Sequence, residues 1–163
     1  MALGFSLAAC GGDVGDAAPP ALVIGTADPA TNTLFVPLAD GGVVPYYGEG
    51  QRRLQMQLAV STRGLGRDVT GTFTVSDPAT GARAERVFTR VLLVCEDGSW
   101  CRQQPLEVSA VDLGAGLMLA PEAVVGALDG RAIVVTATFS PRPSGNGPAT
   151  SVTATVSAVL RKF

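Results

Sequence analysis

The stretch Leu54–Gly81, LQMQLAVSTRGLGRDVTGTFTVSDPATG, decides the fold class. Leu54, Met56, Leu58 and Val60 alternate with Gln55, Gln57, Ala59 and Ser61. After Gly64-Leu65-Gly66-Arg67-Asp68 the pattern resumes, with Val69, Gly71, Phe73 and Val75 set against Thr70, Thr72, Thr74 and Ser76. A period of two sends successive side chains to opposite faces, so both runs are strands with one face in a core. Asp77-Pro78-Ala79-Thr80-Gly81 then turns the chain: Asp bonds nearby backbone, Pro presets φ and Gly accepts a positive φ.

Downstream, Arg83 to Asp112 is expected to form one long β-hairpin joined to the preceding strand as a meander. Val87, Phe88, Val91, Leu92, Leu93 and Val94 lead into Glu96-Asp97-Gly98-Ser99-Trp100, and Leu106, Val108, Ala110 and Val111 lead out. Cys95 and Cys101 bracket the turn. If they lie opposite each other, a non-hydrogen-bonded antiparallel pair brings their Cα atoms within reach of a disulfide. Between Val91 and Val94 the alternation blurs, which a bulge or burial on both faces would explain.

Leu22-Val23-Ile24-Gly25 suits a first edge strand, Leu34-Phe35-Val36 a second ended by Pro37, and Leu117-Met118-Leu119 a further short one. Pro121 to Leu128 suits one helical turn, with Pro in the first position and Ala123, Val124, Val125 and Leu128 on an apolar face. Ala132 to Phe139 and Val152 to Leu160 close the chain as two strands around a polar loop from Pro141 to Pro148. The expected fold is therefore all-β: an antiparallel sandwich of about eight or nine strands, with little helix. Leu54, Met56, Leu58, Val60, Phe73, Val75, Ile133, Val135 and Phe139 should share one core.

Composition narrows the chemistry. The 163 residues, 47% hydrophobic and 16% charged, suit one packed domain, and 20 glycines with 11 prolines suit many turns. A net charge of -2 gives no drive toward nucleic acid. With no histidine in the sequence, Ser-His-Asp and Cys-His machinery and histidine-ligated metal are excluded within this chain. Carboxylates are the remaining catalytic candidates. Glu96 with Asp97 is their tightest cluster, but neighbours on a hairpin tip point apart into water, and Asp40, Asp68, Asp77 and Asp129 stand at or near Gly or Pro as turn residues. No D-x-D-x-D-G spacing for calcium occurs. The chain is expected to be non-enzymatic, with no cofactor and no metal. Trp100, Tyr46 and Tyr47 are the candidate ligand contacts, as aromatic platforms for a sugar or peptide.

Leu7-Ala8-Ala9-Cys10 follows the lipobox pattern, and it ends an apolar segment ahead of Gly11 to Pro20, which has too little apolar surface to order itself. Such a sequence resembles the end of a bacterial lipoprotein signal, cleaved before Cys10, whose thiol would carry lipid. The resemblance implies outer-membrane sorting, because Gly11 rather than aspartate follows the cysteine. Phe35-Val36-Pro37-Leu38-Ala39-Asp40-Gly41, followed by Gly48-Glu49-Gly50-Gln51 and a strand, is similar to a segment of uncharacterised Gram-negative lipoproteins, whose fold is expected to be an immunoglobulin-like β-sandwich. This chain differs from them in Glu49, Gly50, Arg52 and Arg53. The expected organisation is a signal remnant and tether over 1–20 and a β-sandwich domain over 21–163. The expected function is a membrane-anchored binding or structural accessory module at the periplasm or cell surface, with the membrane and an unidentified protein or glycan as partners. The alternative is a carbohydrate-binding module that uses exposed aromatics. Three cysteines with Cys10 given to lipid leave Cys95 and Cys101 as a pair to be oxidised after export.

Overall fold

The computed structural model describes residues 18–28, 33–48, 54–95, 100–103, 106–115, 121–143 and 150–163. Among them are eleven strands and two short helices. The strands are β1 (Ala21–Asp28), β2 (Thr33–Pro37), β3 (Gly42–Tyr47), β4 (Gln55–Arg63), β5 (Asp68–Ser76), β6 (Arg83–Leu92), β7 (Val94–Cys95), β8 (Cys101–Arg102), β9 (Leu106–Ser109), β10 (Ala132–Pro141) and β11 (Val152–Lys162). The helices α1 (Val111–Ala115) and α2 (Pro121–Ala127) lie between β9 and β10.

Hydrogen bonding runs β2-β1-β4-β3-β11-β10-β5-β6. β4 borders β1 and β3 along one edge, and β9 and β8 along the other. β3 is the corner: it is antiparallel to β4 at Tyr46 and Tyr47, and parallel to β11 from Ala158 to Lys162. Folding at this corner makes two layers, β2-β1-β4-β9 and β11-β10-β5-β6, around one apolar cluster. The order β1-β4-β9 matches strands A-B-E, and β11-β10-β5-β6 matches G-F-C-C′, of variable-type immunoglobulin domains. The architecture is thus the expected all-β, immunoglobulin-like sandwich, with one parallel pair among antiparallel ones. Every residue of the expected core is buried in the one cluster, including Met56, Leu58, Phe73, Val135 and Phe139. At its centre Phe73 meets Phe139 and Phe88 edge-on, with ring centroids 5.7 and 6.2 Å away.

Three expectations are corrected, and one open alternative, the third below, resolves to the bulge. First, β1 is no edge strand, since β2 lies outside it. Second, the long hairpin is only its own tip: β7 pairs with β8, while β6 pairs with β5 and β9 pairs with β4 in the other layer. The chain changes layers after Leu92, and Val111, expected in the outgoing arm, begins α1. Third, the blurred run from Val91 to Val94 is an ordinary alternation displaced by one residue. Val69 faces Val91 while Gly71 faces Phe88, so β6 carries one more residue than β5 between those pairs. That bulge reverses the parity: Ala84 points inward before it, and Val91 and Leu93 do so after it, leaving Leu92 and Val94 exposed. Fourth, Ala59 and Ser61 do not face solvent but are buried. Ala59 pairs with Gly25, and the Phe35 ring lies so close to Gly25 that a Cβ there would meet it at 2.4 Å.

The expected helix from Pro121 is α2, which buries Val124 while Ala123 stays exposed; Leu128, just beyond it, is buried too. Leu117-Met118-Leu119 and most of the Pro141 to Pro148 loop lie outside the described residues.

Candidate interaction surface

The near end of the sandwich gathers what the sequence marked. β1 starts there, with Ala21 opposite Arg63, and so does β8, with Cys101 opposite Thr62. Cys95 and Cys101 face each other across β7 and β8 and are disulfide-bonded. The bond joins β7 to β8, which itself pairs with the end of β4. Cys101 is buried, so the bridge ties the tip to the core instead of hanging from it.

Trp100 is half-buried beside this bridge. The Arg63 guanidinium lies over its ring, 5.2 Å from the centroid, and donates through Nη2 to the Pro19 carbonyl at 3.3 Å. One strand away, Arg102 lies over the Phe35 ring at 5.8 Å. Arg102 faces Ser61 across β8 and β4, and Gly25 makes room for Phe35, so small residues lie beneath the pair. A guanidinium on an aromatic face contributes about 0.5–1 kcal/mol where solvent reaches it. The result is a surface of two aromatic rings, each with an arginine guanidinium over it.

The tyrosines do not belong to it. Tyr46, expected as a ligand platform, is wholly buried at the corner strand, and that overturns the assignment. Its pairing with Met56 on β4 and Lys162 on β11 sends the ring into the core. Burial raises the Tyr46 hydroxyl pKa, with a smaller push from the Asp129 charge. Tyr47 is half-buried at the far end, tilted at 41° against Phe163 with centroids 5.9 Å apart, so the two tyrosines form no shared plane. Cys10, Glu96 and Asp97 lie outside the described residues.

Asp40, Asp68, Asp77 and Asp129 are each engaged within the fold. Asp40 accepts from the Ser157 amide at 3.0 Å and Asp129 from the Lys162 amide at 3.0 Å. Asp68 is ion-paired with Arg90 at 3.2 Å and Arg142 at 3.6 Å. Asp77 is buried. Its Oδ1 accepts from the Ala79 amide at 2.8 Å, and its Oδ2 meets Arg131 at 2.6 Å. Burial alone would raise the Asp77 pKa, but hydrogen bonds from Ala79 and Thr80 and the Arg131 charge outweigh it and hold the carboxyl below its ordinary value. Asp68 and Asp77 stand at opposite ends of β5, roughly 30 Å apart at a strand's rise per residue.

Sequence reasoning missed Arg63, Arg102 and Phe35. Arg63 lies just past the alternating run of β4, and no local pattern ties it to Trp100 or Phe35 to a residue as distant as Arg102. No family model matches the chain, and no curated protein matches it. Among solved structures it is similar to the CooA pilin subunit from enterotoxigenic Escherichia coli, at 10% identity over 85% of this chain and 98% of that one, with a TM-score of 0.33, a likeness too slight to carry any assignment.

Proposed function

We propose that this is a non-enzymatic lipoprotein, anchored through Cys10 at the outer membrane, whose sandwich acts as a binding or structural accessory module. One observation carries the reading: the chain enters the sandwich at the same end as the Cys95–Cys101 tip, where Arg63 holds Pro19 and Trp100 together. An anchor on Cys10 followed by the segment from Gly11 to Pro20 reaches at most roughly 35 Å when fully extended. It therefore keeps the cation-capped aromatic surface close to the membrane and leaves the far end, with the C-terminus, pointing away. In that position, Trp100 and Arg63 suit contact with carbonyl and carboxylate groups of an envelope partner.

The test is expression with a complete signal in a Gram-negative host. The wild type should partition into detergent, and Cys10→Ser should move to the aqueous phase. A chain held by two or more acyl groups stays bound, whereas a single one is marginal. Equal partitioning of the two forms refutes the anchor. Proximity labelling from the membrane surface that marks the far end near Phe163 in preference to Trp100 refutes the orientation.

A further inference from the structure

The exposed strand edges are unequally guarded. β6 ends one side with Arg83, Glu85, Arg86 and Arg90 exposed and a bulge in mid-strand; β2 is five residues long and ends in Pro37. These are the usual obstacles to edge-to-edge pairing. β11 has none of them between Val152 and Val156, and Thr150 to Leu160 contains neither charge nor proline.

β3 covers only the C-terminal half of β11's outer edge, from Ala158 onward. Leu160 exchanges backbone bonds with Gly130 and Arg131 on the β10 side, whereas Ser157 points the other way, donating to Asp40 and accepting from the Gly41 amide. Backbone groups alternate along a strand, so the amides and carbonyls of Thr153 and Thr155 share Ser157's side. Among the described residues no strand pairs with them there. Their side chains are held on the outer face, with the Thr155 hydroxyl 3.1 Å from Thr136 and that of Thr153 2.9 Å from Thr138. Beneath this edge opens a groove of about 270 Å³, lined by Leu22, Ile24, Leu38, Ala154 and Val156.

We propose that this edge is a self-association site: two copies join antiparallel through Val152–Val156 across a two-fold axis at Ala154. The segment Val152-Thr153-Ala154-Thr155-Val156 is palindromic, so the two-fold sets Val against Val, Thr against Thr and Ala against Ala. The backbone phase agrees. Thr153 of each copy faces Thr155 of the other, and both point their hydrogen-bonding groups outward, which is what a hydrogen-bonded antiparallel pair requires. Asp40 and Gly41, just before β3, occupy the backbone groups of Ser157 and so exclude registers shifted toward the C-terminus, while the palindrome favours Ala154 as the centre. The four strands β6, β5, β10 and β11 of each copy become one sheet, and the groove beneath each edge is closed by the inward valines of the other copy.

Sedimentation equilibrium of the full chain, in a Cys10→Ser background, tests this. The parent should show a reversible monomer–dimer equilibrium. Thr155→Pro removes an outward amide donor together with the hydroxyl that meets Thr136, and Thr155→Val removes the hydroxyl alone; relative to Thr155→Val, Thr155→Pro should keep the monomer's circular dichroism while dissociation moves to about 30-fold higher concentration. Independently of that variant, Ala154→Cys should form a covalent dimer on oxidation, because opposed Cα atoms of a non-hydrogen-bonded pair sit about 4.5 Å apart, while Val152→Cys should not. A parent that is monomeric at every concentration overturns the proposal, as does a Thr155→Pro dimer of unchanged affinity or cross-linking of Val152→Cys as readily as Ala154→Cys. Slow amide exchange at Thr153 and Thr155 in a strict monomer also overturns it, and would assign the slot to a segment of the same chain.

Discussion

Replacing Phe73 by alanine probes the centre of the sandwich. The ring has no solvent exposure and packs edge-on against both Phe139 and Phe88. Burying a phenylalanine and then deleting it costs about 3–5 kcal/mol, and the spread reflects how far the surroundings collapse into the space. Phe139 has little room to follow. Its ring lies over Gly71 so closely that a Cβ there would meet it at 2.3 Å, and it is buried in a strand paired on both sides. Phe88, on the edge strand and only half-buried, has more freedom to swing inward. The expected loss is therefore about 4 kcal/mol, against a total of about 5–15 kcal/mol for a folded domain. Phe73→Leu keeps most of the volume but gives up both edge-to-face contacts, each about 0.5–1.5 kcal/mol, so about 2 kcal/mol should be lost. Urea unfolding at constant m is the assay, with a thermal shift of roughly 8–16 °C expected for the alanine variant. A loss below about 1 kcal/mol for alanine, at unchanged m, would refute this account of the core.

At Asp77 the sign of the pH dependence is set by a lowered folded pKa: its contribution is complete above the unfolded carboxylate pKa and is lost as pH falls through the folded value. Acid titration of stability should therefore show a weaker acid limb in Asp77→Asn than in the wild type. Arg131→Ala should cost about 3 kcal/mol at neutral pH by leaving that buried carboxylate without its cation, and a cost near zero would show the pair to be dispensable. Gly71→Ala should destabilise by about 1–3 kcal/mol, because the new methyl group strikes a clamped ring; recovery in the double variant with Phe139→Leu would place the clash where the geometry does. Reducing Cys95–Cys101, a sequence separation of 6, should cost roughly 2–2.5 kcal/mol, leave the sandwich folded and speed amide exchange at Trp100, Cys101 and Arg102. Cooperative unfolding on reduction would show that the bridge matters to the whole fold.

What the sequence determined was what depends on neighbours along the chain. Leu54 to Val60 and Val69 to Val75 display their core faces because side-chain direction alternates residue by residue, and Asp77 to Gly81 announces its turn, where Gly81 has φ +73°. Cys95 and Cys101 are close enough in sequence for their pairing to follow from a local hairpin tip. What the tertiary structure decided was which strands meet. β9 joins β4 instead of β6, which no local pattern announces, and the single extra residue that reverses the parity of β6 is hidden within an apolar run. Tyr46, beside glycines and a second tyrosine, looks exposed until the parallel pairing of β3 with β11, more than a hundred residues away, turns it inward. Arg63 with Trp100, Arg102 with Phe35, and Asp77 with Arg131 are likewise products of the closed sandwich. A periodic pattern specifies which face of a strand is buried, but the partner of that strand is chosen by the free energy of the whole core, which no local stretch encodes.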